Sequence, residues 1–292
     1  MKQVFSRLSF HVTPSLPHSP LKRFVDKDPN ARRRVFLDVG SHRGNFVFSV
    51  FDNWGAQEER DQALRLEMVG EKAPPLHDDD VATRVLEPLV HAFEVSEKRV
   101  HTLLKLADLL PKGALHVHHL AVSDANAEVT INDSPAGPGL GVGTPHDKIM
   151  STTLDAWLPA QSVEHVMLAR VHANGFEPFV IRGMLDSLRR GVVEHIIFDY
   201  SHKWKKEYTG RAADESLHAI AELLETVQFE CYLIAKHRLI KISDDYWDAR
   251  FELFNAFKYI QVDVWCAKRS NPQRRRILEF FNADFELNDP FD

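Results

Sequence analysis

The chain has 292 residues, 44% of them hydrophobic and 27% charged, which suits one large globular domain or at most two small ones and allows a sizeable core. A net charge of −6 gives no global pull toward nucleic acid or anionic membrane. No apolar run approaches the ~18–20 residues of a membrane-spanning helix.

Taken in order, residues 1–30 are Pro/Ser-punctuated and aperiodic and read as an N-terminal arm. This arm lacks a continuous apolar stretch, so no secretory signal is expected. Its Lys2, Arg7, Lys22 and Arg23, with no acid before Asp26, are compatible with an organelle transit peptide. The expected compartment is the cytoplasm, with mitochondrial or other organelle import as the alternative. Val35–Val39 is a compact β-rich run ending at glycine, the signature of a buried parallel strand. Gly44–Trp54 follows with apolar residues at helical spacing. Residues 56–88 are polar and charged and read as an insertion, with either a cover over a substrate or a homodimer contact as its role.

Val90–Glu94 is a second strand, Lys98–Leu110 a helix and His116–Val122 a third strand; Glu128–Asn132 is a short strand candidate. Ser134–His146 carries four glycines and reads as a loop, either a lid or an excursion. Thr153–Leu158 is a helical turn, Val166–Val171 a fourth strand, and Glu177–Arg190 a helix stopped by Gly191. Glu194–Tyr200 is a fifth strand and Asp214–Val227 a helix. Glu230–Ala235, Leu239–Ile242 and Tyr259–Ala267 are closing strands with little helix between them, hence an antiparallel edge. Residues 271–292 form a C-terminal tail. Cys231 and Cys266 sit in short apolar runs and read as two buried free thiols in a reducing compartment. Strands alternating with helices predict a doubly wound α/β sheet whose ligands lie beyond the carboxyl ends of its strands.

The turn after the first strand reads Asp38-Val-Gly40-Ser41-His42-Arg-Gly44-Asn45. Its glycines permit a tight reversal, and the following helix points N–H groups at a ligand. His42 and Asn45 stand where a dinucleotide fingerprint needs glycine, which disfavours NAD and FAD, and no Gly-Lys-Ser/Thr follows, so a Walker phosphate loop is absent. Glu94 ends the second strand, where a carboxylate can take both hydroxyls of a ribose. It lies 56 positions after Asp38, a long spacing that the insertion explains. S-adenosylmethionine is the expected cofactor.

The segments FLDVGSHRGNF (36–46), HAFEVSEKRV (91–100), HHLAVSD (118–124), STTLDAWL (151–158), MLARVHANGFEPFVIRGM (167–184) and HIIFDYS (195–201) together resemble the FkbM family of S-adenosylmethionine-dependent methyltransferases. The resemblance implies a Rossmann-like class I methyltransferase fold, with a seven-stranded, mostly parallel sheet and an antiparallel edge, over residues 31–270. It implies methyl transfer to a hydroxyl, with a small-molecule or glycan acceptor and no nucleic acid. Carried onto this chain, Gly40 to Asn45 would hold the methionine end, Glu94 the ribose and Ser123–Asp124 the adenine side, with Asp38 and Arg170 beside them.

The family's fourth-strand motif, Lys-Ile-Asp-x-Glu-Gly, stands here as Arg170-Val171-His172-Ala173-Asn174-Gly175. Both carboxylates of that motif are absent. His172 is then the candidate general base, His202 a second, and Asp199 the group that orients either. A metal held by Asp199, Asn174 and His172 is not demanded by any spacing, and no metal is expected. The alternative is a degenerate homologue that binds cofactor or a partner without catalysis. A nucleic-acid module built on Lys203–Lys206 and Arg274–Arg276 is the weakest reading, since short basic runs are usually solvated faces. Trp157 reads as a packing anchor; Trp204 and Tyr208 read equally well as acceptor-pocket lining or surface loop.

Overall fold

The computed structural model describes residues 34–54, 88–133, 140, 143–210, 214–235, 238–256 and 260–282. The N-terminal arm, the 56–88 insertion apart from residue 88, most of the glycine-rich loop and the end of the tail lie outside them.

Two apolar runs that sequence alone delimits form central strands: β1 (Val35–Val39) and β7 (Val166–Val171). Between them the chain builds α1 (Asn45–Trp54), β2 (Leu89–Glu94), α2 (Glu97–Ala107), β3 (Leu115–His119), β4 (Ala121–Val122), β5 (Ala127–Asp133), β6 (Thr144–Thr152) and α3 (Leu154–Ala160). After β7 come α4 (Glu177–Arg182), α5 (Leu185–Arg190), β8 (Val193–Ser201), the short α6 (Lys206–Thr209), α7 (Leu217–Glu225), β9 (Phe229–Ile234), β10 (Leu239–Lys241), β11 (Gln261–Lys268) and α8 (Pro272–Asn282).

Eight strands form one sheet in the order β10-β9-β11-β8-β7-β1-β2-β3. Pairs among β3, β2, β1, β7 and β8 are parallel, whereas β11 runs antiparallel to β8 and β9, and β10 to β9. The class of sheet is the expected one, with eight strands instead of seven. On one face Phe36, Val90 and Leu168 pack under α1 and α2 through Val47, Val50, Phe51, Leu103 and Leu106. On the other, Leu37, Val39, Phe93, Val171 and Phe198 pack under α3, α4, α5 and α7. Phe36 and Leu37 are 0% exposed, and burying such side chains stabilises by about 1.5–3 kcal/mol each. The alternation of a strand thus loads both faces of the sheet.

Other expectations are corrected too. His116–Val122 is not one strand: the chain turns at Leu120, leaving β3 on the main sheet and β4 in a separate sheet of order β4-β6-β5. β6 was not foreseen, because TPHDKIMST has no clean alternation; it takes the end of the expected glycine loop into a hairpin with β5. The Glu177–Arg190 helix is broken at Gly183–Met184. A Cβ on Gly183 would sit 2.1 Å from the Ser123 carbonyl oxygen, so this glycine serves a close backbone approach. Finally, Cys231 and Cys266 are not free thiols. They face each other in the β9–β11 register and form a disulfide with Cα atoms 4.1 Å apart.

Trp204 is neither surface nor pocket lining. It is 0% exposed, packs on Phe198 and Tyr200, and donates its indole N–H to the Asp199 carbonyl at 3.1 Å. Trp157 is the anchor expected, edge-on to His91, Phe93 and His118. Among the described residues no helix is long and apolar enough to cross a membrane.

Candidate functional site

The turn after β1 is pinned before it reaches any ligand. Gly40 and Ser41 donate their N–H groups to the Phe93 carbonyl at 2.9 and 3.1 Å, and Ser41 Oγ donates to the Asp38 carbonyl at 2.7 Å. Gly40, His42 and Gly44 all adopt positive φ (77°, 52° and 84°), costly for the histidine and free for the glycines. His42 is held there because its N–H donates to Glu94 Oε2 at 2.8 Å. Asn45 opens α1 on the exposed outer side.

Glu94 is 2% exposed. Its other oxygen accepts from Ser96 N–H at 2.9 Å, and Arg99 lies 3.7 Å away. Burial raises its pKa, opposed by these donors. A carboxylate has about four lone-pair directions, so two backbone bonds leave acceptor capacity for ligand hydroxyls. Arg99 was not foreseen; its only sequence signal is its place on the first turn of the helix that follows the acid.

At the end of β7, Arg170 donates to Asp38 Oδ1 at 3.0 Å across the β1–β7 register and stacks over the Phe46 ring at 5.8 Å. Asp38 is fully buried and its Oδ2 has no partner among the described residues; burial raises its pKa against the pull of Arg170. His172 N–H donates to the Val39 carbonyl at 2.8 Å, so the β7 loop crosses directly over Gly40. His172 Nδ1 lies 3.2 Å from an Arg170 guanidinium nitrogen and 3.3 Å from Asp199 Oδ1. Its ring stands edge-on to His42, centroids 5.1 Å apart.

Desolvation, then the neighbouring charges Arg170, Lys203 and Arg99, pushes His172 down to about 3. Desolvation, then His172 and the same cations, brings His42 to about 3 as well. Both rings are expected to stay uncharged from about pH 8 to pH 5, where free histidine titrates near ~6.5. Ring ¹H–¹⁵N spectra check this, and a midpoint near 6.5 for either ring would contradict it. Below about pH 6.5 the unfolded chain takes up protons that the native rings refuse, so this pair withdraws stability as pH falls from there toward about 3.

The 172–175 loop is braced from beneath. Glu177 is 0% exposed and accepts from Ala173 N–H at 2.6 Å and Gly175 N–H at 2.9 Å. These bonds bracket Asn174, held at φ 53°. Asn174 Oδ1 accepts from Lys203 Nζ at 2.6 Å, and a Cβ on Gly175 would sit 2.2 Å from the Lys203 carbonyl. Lys203 comes from the turn after β8, and no local pattern in the sequence marks it as Asn174's partner.

A cleft opens between these elements, lined by Gly40, His42, Glu94 and Arg99, by His172, Ala173 and Asn174, and by the apolar Ala121, Val122 and Leu140. Gly40, His42, Glu94 and His172 thus share one cavity, while Asp38, Arg170 and Asp199 lie immediately behind it. Ser41 and Gly44 are buried in the turn itself. Ser123 is buried, its hydroxyl donating to Asp124 at 3.1 Å and its backbone carbonyl facing Gly183, and the cleft lining here is Ala121 and Val122. His202 sits on the turn after β8, its ring edge-on to Tyr208, away from the cleft lining. Among the described residues no group of three or more His, Cys, Asp or Glu side chains is placed to hold a metal ion.

No family model matches the chain, and no curated protein is similar to it. Among solved structures, the chain is similar to the METTL16 MTase domain at 12% identity and TM-score 0.40, over 86% of this chain and 65% of that one. It is similar to precorrin-6y C5,15-methyltransferase of Geobacter metallireducens at 7% identity and TM-score 0.38, over 86% of each chain. It is also similar to the fibrillarin pre-rRNA processing protein of Methanococcus jannaschii at 11% identity and TM-score 0.38, over 84% of this chain and 70% of that one. Superpositions this loose do not bear on the activity.

Proposed function

We propose that this chain is an FkbM-like methyltransferase that binds S-adenosylmethionine and methylates a hydroxyl of a small molecule or carbohydrate. The observation that carries the reading is the pairing of Glu94 with the Gly40–Gly44 turn. One buried carboxylate both fixes the turn through His42 N–H and keeps acceptor capacity facing the cleft.

The residues present fit this cofactor. A carboxylate with spare lone pairs suits a ribose diol, the backbone at Gly40 approaches without a Cβ, and Ala121, Val122 and Leu140 offer an apolar end for a base. When bound, the cofactor supplies an electrophilic methyl group. The chain's own part is to bind, to exclude water and to manage the acceptor's proton. His172 and His42, uncharged, face the cleft without repelling a sulfonium, and Arg170 holds Asp38 and the β7 loop in place.

Isothermal titration with S-adenosylhomocysteine, followed by a tritium-methyl transfer screen over hydroxyl acceptors, tests the reading. Glu94→Gln keeps the shape but loses a charged acceptor and should weaken S-adenosylhomocysteine binding by about 10–100-fold. No binding by the parent protein sinks the proposal. Binding without transfer to any acceptor class favours the degenerate reading, which the replacement of both motif carboxylates by His172 and Asn174 supports. A nucleic-acid acceptor is not proposed: Lys203 is turned inward to Asn174, and Arg274 and Arg275 are paired with Glu230 and Glu279.

A further inference from the structure

His172 Nδ1 has two suitors at nearly equal distance. The Arg170 guanidinium at 3.2 Å can only donate to it. Ionised Asp199 at 3.3 Å can only accept from it. A single ring nitrogen cannot satisfy both, because it either carries a proton or offers a lone pair. Which bond forms depends on whether Asp199 is charged.

That charge is shared with Glu177. Glu177 and Asp199 are 0% and 2% exposed; burial and the Asp199 charge push Glu177 well above the usual carboxylate range, while a side-chain hydrogen bond from Glu177 works against the rise that burial gives Asp199. Neither makes a salt bridge to Arg or Lys among the described residues, and apart from Glu177 no hydrogen-bond donor reaches either Asp199 oxygen there. Two carboxylates in contact and away from water cannot both ionise readily, so one proton stays between them. The charged and titrating groups facing the pair are Arg170 and His172 from the end of β7, Lys203 from the turn after β8, and Asp263, opposite Asp199 in the β8–β11 register. Asp38 reaches it only through Arg170.

We propose that Glu177 and Asp199 form a one-proton dyad that sets the tautomer of His172 and thereby switches its cleft-facing nitrogen between hydrogen-bond acceptor and donor. With one proton, the dyad is negative, Nδ1–H turns to Asp199, and Nε2 offers its lone pair. With two protons, the dyad is neutral, Nδ1 accepts from Arg170, and Nε2 carries hydrogen. Glu177 and Asp199 are therefore positioning residues that act through His172. The functional consequence rests on the methyltransferase reading above: only the first state turns a lone pair of His172 toward the acceptor, where it can accept a hydrogen bond from the hydroxyl and orient that oxygen toward the methyl group.

The test is ¹⁵N spectroscopy of the His172 ring on the full chain as pH is lowered. The parent protein should change from the Nδ1–H to the Nε2–H tautomer without forming imidazolium. Asp199→Asn keeps the shape, removes the charge, and should show Nε2–H at every pH. Glu177→Gln removes the competing acid and should move the change to lower pH; it also serves if Asp199→Asn does not fold. A tautomer that never changes in the parent, or that is unaltered by both variants, overturns the proposal. S-adenosylhomocysteine titration on the same samples keeps the two readings apart: its failure would remove the methyltransferase reading while the tautomer result still stands or falls alone.

Discussion

Gly40→Ala should abolish S-adenosylhomocysteine binding and lower the melting temperature by at least about 4–8 °C. Gly40 sits at φ 77°, where a Cβ costs about 1–2 kcal/mol. The added atom would also lie 2.0 Å from the His172 carbonyl oxygen and 2.9 Å from its carbon. Those atoms are backbone, and His172 N–H is bonded to Val39, so no side chain can swing aside. The ends of β1 and β7 must part, which breaks that bond and shifts both walls of the cleft together. A total of at least about 2 kcal/mol in a domain this size gives the stated shift. Gly44→Ala is the internal control. Its φ of 84° carries similar strain, but the added atom meets Leu106 and Leu103 side-chain ends at 2.8 and 3.1 Å, which can yield. It should lose stability and keep most of its binding. Calorimetry and titration of both variants decide the matter; a Gly40→Ala protein that binds like the parent would remove this turn from the site.

The contrast between these glycines shows what the sequence discloses and what it withholds. β1 and β7 were legible to the residue because a continuous apolar run ending at a turn has few other uses. The reversed edge was legible because three strand-like runs close the chain with little helical pattern between them. Asp38, Gly40, His42, Glu94 and His172 could be singled out as candidates because each lies at or just past the end of a strand, and the ends of strands converge in this class of sheet. What escaped depends on distance in space. Glu177 was read as a motif match, yet it braces Asn174 and shares a proton with Asp199. Lys203 was read as part of a basic run, yet it points inward. Gly183 looked like helix interior, and only the approach of Ser123 explains it. β6 carries polar residues on an exposed hairpin, so neither burial nor period announced it.

The same limit produced the largest correction, and it carries the second prediction. Cys231 and Cys266 are separated by 35 positions, and nothing local suggests that they meet. They meet because β9 and β11 are adjacent and antiparallel with Val264 opposite Leu233, which sets Cys266 opposite Cys231. Closing a loop of this length should stabilise the native state by about 3–4 kcal/mol in the chain-entropy account. Both residues are at most 1% exposed, so a reductant should act only when the edge opens, and reduction should be slow under native conditions. The double variant Cys231→Ala/Cys266→Ala should therefore melt several degrees lower than the parent, and prolonged incubation of the parent with reductant should approach that value. Thiol counting after denaturation without reductant gives the direct check. Two free thiols would restore the free-thiol expectation and agree with a cytoplasmic chain. None would show the bond formed and weigh toward an oxidising compartment, since disulfides are rare in the cytosol. In either case the loss should fall on stability and leave S-adenosylhomocysteine affinity unchanged, because the bridge joins β9 to β11 while the cleft is built over β1, β2 and β7. A variant that loses binding in step with its stability would mean that the antiparallel edge and the cleft unfold as one unit.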